Sequence, residues 1–349
     1  FVDGRYTSQA AKQADGNVFQ IEDLVNNPLH EFLRTNAPKG LRLGLDAWTW
    51  TSSEIDRIET ALASLGGEIV FLDENPVDTV WTDRPAPPLQ PVSIQPLDYA
   101  GKLAKDKIAE MQKLITDAGA DAAILSDPSS VAWTFNIRGS DLPSTPHPLC
   151  RAIILAEGKP KIFIDERKTG TEAAAYLTQL ADLMAPEGFA GSLASVAAKG
   201  SSIMVDPGVA PHAVRLMIEA AGGKVVAAAD PARLPRATKN KAELAASASV
   251  HKQDGAAMVR FLRWFDTQPA GSLDEISAAT ALEGFRASTG NDMQMPLKAL
   301  SFDTISGAGP DGAIIHYRVN TVTNRTIRDG EMYLFDSGGQ YVSGTTDIT

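Results

Sequence analysis

With 349 residues, 44% of them hydrophobic and 21% charged, the chain has material for two or three domains with sizeable cores. A net charge of −11 excludes nonspecific nucleic-acid binding, which takes a basic face. The single cysteine, Cys150, excludes an intrachain disulfide and a thiolate zinc site; no apolar run reaches membrane-span length and no signal-like segment opens the sequence, a pattern that suits a cytoplasmic setting without membrane partners.

In chain order, the first elements come as a repeat. FVDGRYT at 1–7 resembles FIDERKT at 163–169: an Asp after two apolar residues, then an Arg, then a Thr. Lys39-Gly40 precedes Asp46 as Lys199-Gly200 precedes Asp206. A helix-like stretch follows in each copy, closing on Gly66-Gly67 or Gly222-Gly223, and then a short apolar run, EIVFLDENP or KVVAAADPA. The second copy has a lead-in that the first lacks, from about Leu97 to Lys161. That lead-in is expected to form a helix (KLAKDKIAEMQKLITDAG), a strand (DAAILS) and a loop (DPSSVAWTFNIRGSD). The expectation is a chain that starts inside its first domain. Between the copies, RPAPPLQPVSIQP at 84–96 holds five prolines in thirteen residues, which predicts a linker or extended crossover. Each copy alternates strands with amphipathic helices, the texture of an α/β domain with a mixed sheet.

From about Leu234 the texture changes. LPRATKNKAELAASASVHKQDGAAMVRFLRWFD is helical in pattern, with Met258, Phe261, Leu262 and Phe265 on one face. SLDEISAATALEGFRAST predicts a second helix. Strands are expected next, in KALSFDTISGAGPDGAIIHYRV and EMYLFDSGGQYVSGTTDIT, as in an α+β domain.

Three features carry candidate chemistry. Met332 to Phe335 is a β-prone run ending on Asp336, and Gly338, Gly339 and Gly344 permit a tight return that brings Asp347 back beside it. A turn near 341–344 sets the two carboxylates across from or diagonal to each other. At roughly 4 Å, two unit charges repel by about 4 kcal/mol at an effective dielectric near 20. Either one carboxylate keeps its proton or a cation sits between them, and oxygen donors suit Mn2+, Mg2+ or Zn2+; a plain Asx-turn role for both stays open. His316 lies in AIIHYRV, expected as a strand, as a structural residue or a proton-handling one. In TFNIRGSD, Arg138 is offered to a substrate or pairs internally with Asp141. His30 and His212 fall in surface-like helical stretches, His147 between prolines and His251 mid-helix, without an assigned role.

These stretches together resemble the Xaa-Pro aminopeptidases, the aminopeptidase P group of the pita-bread metallopeptidases in their three-domain form. FVDGRYTSQA, WTFNIRGSD, LPRATKNKAEL, KALSFDTISGAGPDGAIIHY and YLFDSGGQYVSGTTDIT carry the likeness from the first residue to the last. The resemblance implies two creatinase-N-like α/β domains followed by the first part of a pita-bread catalytic domain. The boundaries expected are 1–92 for the second part of the first domain, 93–232 for the second domain and 233–349 for the incomplete catalytic one. It implies two divalent metal ions, usually Mn2+ with Zn2+ as an option, bound in part by Asp336 and Asp347. It implies that His316 contacts substrate and assists proton transfer, that Arg138 is a substrate-binding candidate, that the substrates are peptides with proline second, and that the protein is a homodimer. The family completes its metal site with a His and two Glu beyond the TTDIT motif, so the chain is expected to be a fragment cut at both ends and inactive alone. A metal-free creatinase-like C–N hydrolase and a non-catalytic adaptor are the alternatives.

Overall fold

The repeat in the sequence is also a repeat in space. The computed structural model describes all 349 residues, which fall into two units: Leu29–Leu142 with Pro146–Lys239, and Phe1–Pro28 with Pro143–Thr145 and Asn240–Thr349. The first 28 residues, expected within a 1–92 domain, thus group with the last segment. Their backbone pairs with itself, Val2 N–H donating to Glu22 at 2.9 Å and Leu24 N–H to Val2 at 2.8 Å, rather than with a strand of the repeats.

In the larger unit, β1 (Arg42–Leu45) runs parallel to β2 (Glu68–Phe71), with the Ser52–Ala63 helix as crossover. Thr51 and Glu54 form a capping box at that helix's start, and Ile55, Ile58 and Leu62 fill the core with Leu33 and Leu45. The proline-rich stretch ends in β3 (Ser93–Ile94), and the lead-in brings β4 (Ala122–Leu125), β5 (Ile137–Arg138) and β6 (Arg151–Leu155). Next come β7 (Lys161–Phe163), β8 (Asp182–Met184), β9 (Ser202–Val205) and β10 (Lys224–Ala227). β3 pairs antiparallel with β5, while a six-stranded mixed sheet runs β10-β9-β4-β6-β7-β8. Alternation gives it two apolar faces. Ala123, Leu125, Ala152, Ile154 and Ile162 meet Ile108, Met111 and Ile115 on one side; Ile124, Ile153, Phe163 and Ile203 meet Phe189, Leu193, Val214 and Ile218 on the other.

The second copy rebuilds the first. β9 and β10 are parallel like β1 and β2, around the His212–Ala220 helix, which is 9 residues long where its counterpart has 12. Gly67 and Gly223 each press on a backbone oxygen, where a Cβ would come within 2.6 Å of Leu41 and 2.7 Å of Ala197. Asp3 accepts the Arg5 N–H at 2.9 Å and its guanidinium at 2.7 Å; Asp165 accepts the same pair of donors from Arg167 at 3.0 and 2.5 Å. These hydrogen bonds pull both carboxyls down to about 2. Within the larger unit the copies meet through equivalent backbone groups: Ser53 N–H donates to Pro207 and Ala213 N–H to Ala47, both at 2.9 Å.

Two expectations change in this unit. DPSSVAWTF was expected as loop, but Pro128–Phe135 is a helix: Asp127 caps it by accepting the Ser129 N–H at 2.8 Å, and Pro128 opens it with a preset φ. His212 is not at the surface. It is 5% exposed, stacks on Phe71 at 5.0 Å, and places Nδ1 3.1 Å from the Ser52 hydroxyl at the seam between the copies.

In the smaller unit, the Lys241–Phe265 and Glu275–Asp292 helices pack on each other, both opened by capping boxes. Met258, Phe261 and Leu282 form the core between them, while Leu262, expected on the same face, is 43% exposed. β11 (Ala299–Leu300), β12 (Ile305–Ala308), β13 (Tyr333–Asp336) and β14 (Gly339–Gln340) follow; β12 pairs antiparallel with β13 and β11 with β14. No helix of the chain is long and apolar enough to cross a membrane.

Candidate metal centre

The segment from β13 to Thr349 is a hairpin. Ser337 and Ile348 exchange N–H···O bonds at 3.0 and 2.8 Å, Gln340 bridges Thr345, and Tyr341 N–H donates to Gly344 at 2.9 Å across the turn. That register makes Asp336 and Asp347 diagonal neighbours on one face. Phe335 and Ile348, beside them in sequence, pack instead into the apolar cluster of Met258, Phe261 and Leu282, with Phe335 edge-on to Phe261 at 5.5 Å. Period-two alternation therefore turns both carboxylates away from the core. Gly338 is required between them, since any Cβ there would run into the Thr346 carbonyl oxygen.

The pair is electrostatically uneasy. Burial pushes the Asp336 pKa up and the Asp347 carboxylate pushes it further, against a hydrogen bond from Thr349 and the nearby His316, which pull it down. Asp336 Oδ1 is buried with no hydrogen-bond partner. An unpartnered buried carboxylate oxygen facing a second carboxylate is a donor set that fits a hard or borderline divalent cation. Asp336 and Asp347 would be the residues that hold it. They form a pair, for no group of three or more His, Cys, Asp or Glu side chains gathers within the 349 residues.

His316 is not on a strand. The chain leaves β12 through a short 3-10 helix, Gly309–Ala313, and turns, with Tyr317 N–H donating to Ile314 at 3.1 Å, so His316 rides on a turn. The separate strand expected in AIIHYRV after the GAGPDG loop does not form, because the chain passes from the 3-10 helix directly into the turn. The His316 ring meets Tyr6 edge-on at 5.3 Å, with Nδ1 3.0 Å from the Tyr6 hydroxyl. His316 is also among the groups that lower the Asp336 pKa, by its charge rather than by a hydrogen bond.

Arg138 lies in the other unit, on β5, and donates to the Ile137 carbonyl at 2.8 Å. An ion pair between Arg138 and Asp141 does not form. Asp141 is buried on Lys168 at 2.7 Å and accepts the Leu149 N–H at 2.6 Å. Burial and Arg138 hold His147 below its ordinary pKa.

Two buried acids behind the site had no place in the sequence reading. Glu275, 0% exposed, accepts the Ala308 N–H at 2.7 Å, the Arg325 N–H at 3.0 Å and the Tyr317 hydroxyl at 3.0 Å, and so holds both ends of the His316 loop. Asp254, also 0% exposed, pairs with Arg286 and accepts the hydroxyls of Tyr341 and Thr346 in the hairpin.

Residues 246–349 match the family model of metallopeptidase family M24, and residues 83–243 match that of the creatinase/prolidase N-terminal domain. The chain is 35% identical to the probable Xaa-Pro aminopeptidase P of Neosartorya fischeri, over 99% of its own length and 54% of that protein's. It is 33% identical to that of Arthroderma gypseum, over 99% of its length and 56% of the relative's. The chain thus spans about half the length of the curated relatives it matches. Its fold is similar to that of the X-prolyl aminopeptidase of Caenorhabditis elegans, described as a cytosolic enzyme with a di-nuclear active site: TM-score 0.87 and 25% identity over 99% of this chain and 57% of that one. This likeness bears out the fold expected, creatinase-like α/β architecture followed by pita-bread elements.

Proposed function

We propose that the whole protein is a dinuclear-metal aminopeptidase that removes an N-terminal residue from peptides with proline second. The observation that carries this reading is the hairpin that puts Asp336, whose buried Oδ1 has no hydrogen-bond partner, beside Asp347. The names of its relatives supply the substrate class. Proline's lack of an N–H and its restraint on the preceding residue make that bond a poor fit for ordinary peptidases, so a dedicated site is expected.

The chemistry such a centre supplies when loaded is Lewis-acid polarisation and a nucleophile at neutral pH. Asp336 and Asp347 would hold the ions in part, Mn2+ in our reading, and the apolar bed under Phe335 and Ile348 keeps the two carboxylates turned outward. His316 handles the proton. With Nδ1 engaged by the Tyr6 hydroxyl, Nε2 is the nitrogen left to exchange a proton with the substrate. Arg138 is proposed to bind the peptide and the enzyme to be a homodimer; a cytoplasmic setting accords with the description of the nematode relative as cytosolic.

The test uses the intact protein with Mn2+ and an Arg-Pro-Pro peptide. Release of free arginine, lost in Asp336→Asn and in Asp347→Asn, is the expected outcome. Absence of cleavage by the wild-type protein in Mn2+ overturns the reading.

A further inference from the structure

We infer that Asp254, held by Arg286, is a positioning residue that fixes the register of the metal hairpin; this rests on Asp336 and Asp347 being metal ligands. All four of its partners are donors. Oδ1 accepts Arg286 Nε and the Tyr341 hydroxyl, both at 2.8 Å, and Oδ2 accepts Arg286 Nη2 at 3.2 Å and the Thr346 hydroxyl at 2.9 Å. The guanidinium comes from one helix and the carboxylate from the other, while the two hydroxyls come from opposite sides of the hairpin turn. One buried carboxylate therefore grips both arms of the hairpin at once.

The grip acts where register matters. Tyr341 closes the turn, and Thr346 immediately precedes Asp347 and also accepts the Gly339 N–H at 2.9 Å. The hairpin contains Gly338, Gly339 and Gly344, which by themselves impose little on the backbone. A slip of one residue between the arms would move Asp347 to the opposite face from Asp336. Thr346 uses its proton on Asp254 and a lone pair on Gly339, so only one register satisfies it. Phe335 and Ile348 set which face is buried, and Asp254 sets which residues stand opposite.

The hydroxyls can be removed while the Asp254–Arg286 pair stays intact, so the intact protein is tested as Tyr341→Phe and Thr346→Val. Mn2+ is the probe, titrated by the free-ion EPR signal, with unfolding followed separately in EDTA. Each variant is expected to bind Mn2+ roughly tenfold or more weakly, the range for losing an outer partner of a ligand. The bound Mn2+ spectrum should broaden, and kcat on Arg-Pro-Pro should fall more than KM rises. Thr346→Ser, which keeps the hydroxyl, should recover the affinity. Wild-type Mn2+ affinity in both variants, alongside its loss in Asp336→Asn, would overturn the positioning role and leave the metal reading standing. Wild-type affinity in Asp336→Asn overturns the metal reading and this inference with it.

Discussion

The six-stranded sheet and the helix pair beneath the hairpin are held by different physics. The sheet packs aliphatic side chains on both faces, and its centre contains Ile153, Ile154 and Ile162 at 0% exposure. The helix pair has an apolar core too, but also buries Asp254, Glu275 and Arg286 at 1% exposure or less. Apolar contacts are non-directional and tolerate small shifts, whereas a hydrogen-bonded carboxylate accepts its donors in one arrangement. The directional device is used beneath the segments that carry Asp336, Asp347 and His316, the residues proposed for the site. The two acids also differ from each other: Asp254 is offset by a guanidinium, and Glu275 by backbone N–H groups and a phenol.

The largest expected effect comes from breaking the charged hub. Asp254→Ala leaves Arg286, whose Nη1 already lacks a partner, as an uncompensated buried charge, and should cost about 3–5 kcal/mol in chemical denaturation. The double variant Asp254→Leu/Arg286→Leu should return most of that stability without restoring Mn2+ affinity, which separates the hub's stabilising role from its positioning one. In the sheet, Ile153→Ala should cost about 2–5 kcal/mol by opening a cavity, with Mn2+ affinity of the folded protein unchanged. A fall in that affinity would erase the contrast drawn between the two regions. Glu275→Gln turns an amide toward N–H donors and should cost about 1–3 kcal/mol. Its signature is faster hydrogen exchange across 308–325, with the 336–347 hairpin protected as before.

The smallest effect is expected at the seam of the repeat. Burial is the main cause of the lowered His212 pKa; Arg215 lowers it further, while Glu59, Asp56 and Glu219 oppose them. A depressed pKa means that the unfolded chain binds the proton more readily. The stability His212 contributes is therefore complete above its ordinary value of 6.5 and is lost as pH falls through the folded-state value. The unfolding midpoint should drop more steeply below pH 6.5 in the wild type than in His212→Gln. Equal slopes would mean that the ring is solvated in the folded protein.

Much of this organisation was legible in the sequence where local chemistry repeats or alternates. The Gly-Gly closures mark equivalent points of two folded copies, and the Asp-x-Arg turns repeat locally although Asp3 groups with the smaller unit, because each is a self-contained backbone geometry. The hairpin was legible because glycine placement and alternation fix its turn and its faces. The loop expected over Pro128–Phe135 is a helix because Asp-Pro is equally the start of a capped helix. Alternation in AIIHYRV reads as a strand for His316, but the segment after the GAGPDG loop is a turn, which period two does not distinguish over so few residues. Asp254 and Arg286 escaped notice because a charge within a helix ordinarily faces solvent. A signal was there: Asp254 shares its face with Met258, Phe261 and Phe265, and Arg286 lies in line with Ala278 and Leu282, so each interrupts an apolar stripe. That the two would meet depends on the packing of the helices, which periodicity alone does not reveal.

The most direct test of the central claim is the position of the metal. Crystals of the intact protein grown with Mn2+ should show anomalous-scattering peaks within coordination distance of the Asp336 and Asp347 carboxylates, both lost in Asp336→Asn. Peaks only elsewhere in the molecule, in crystals of a protein that still cleaves Arg-Pro-Pro, would contradict it.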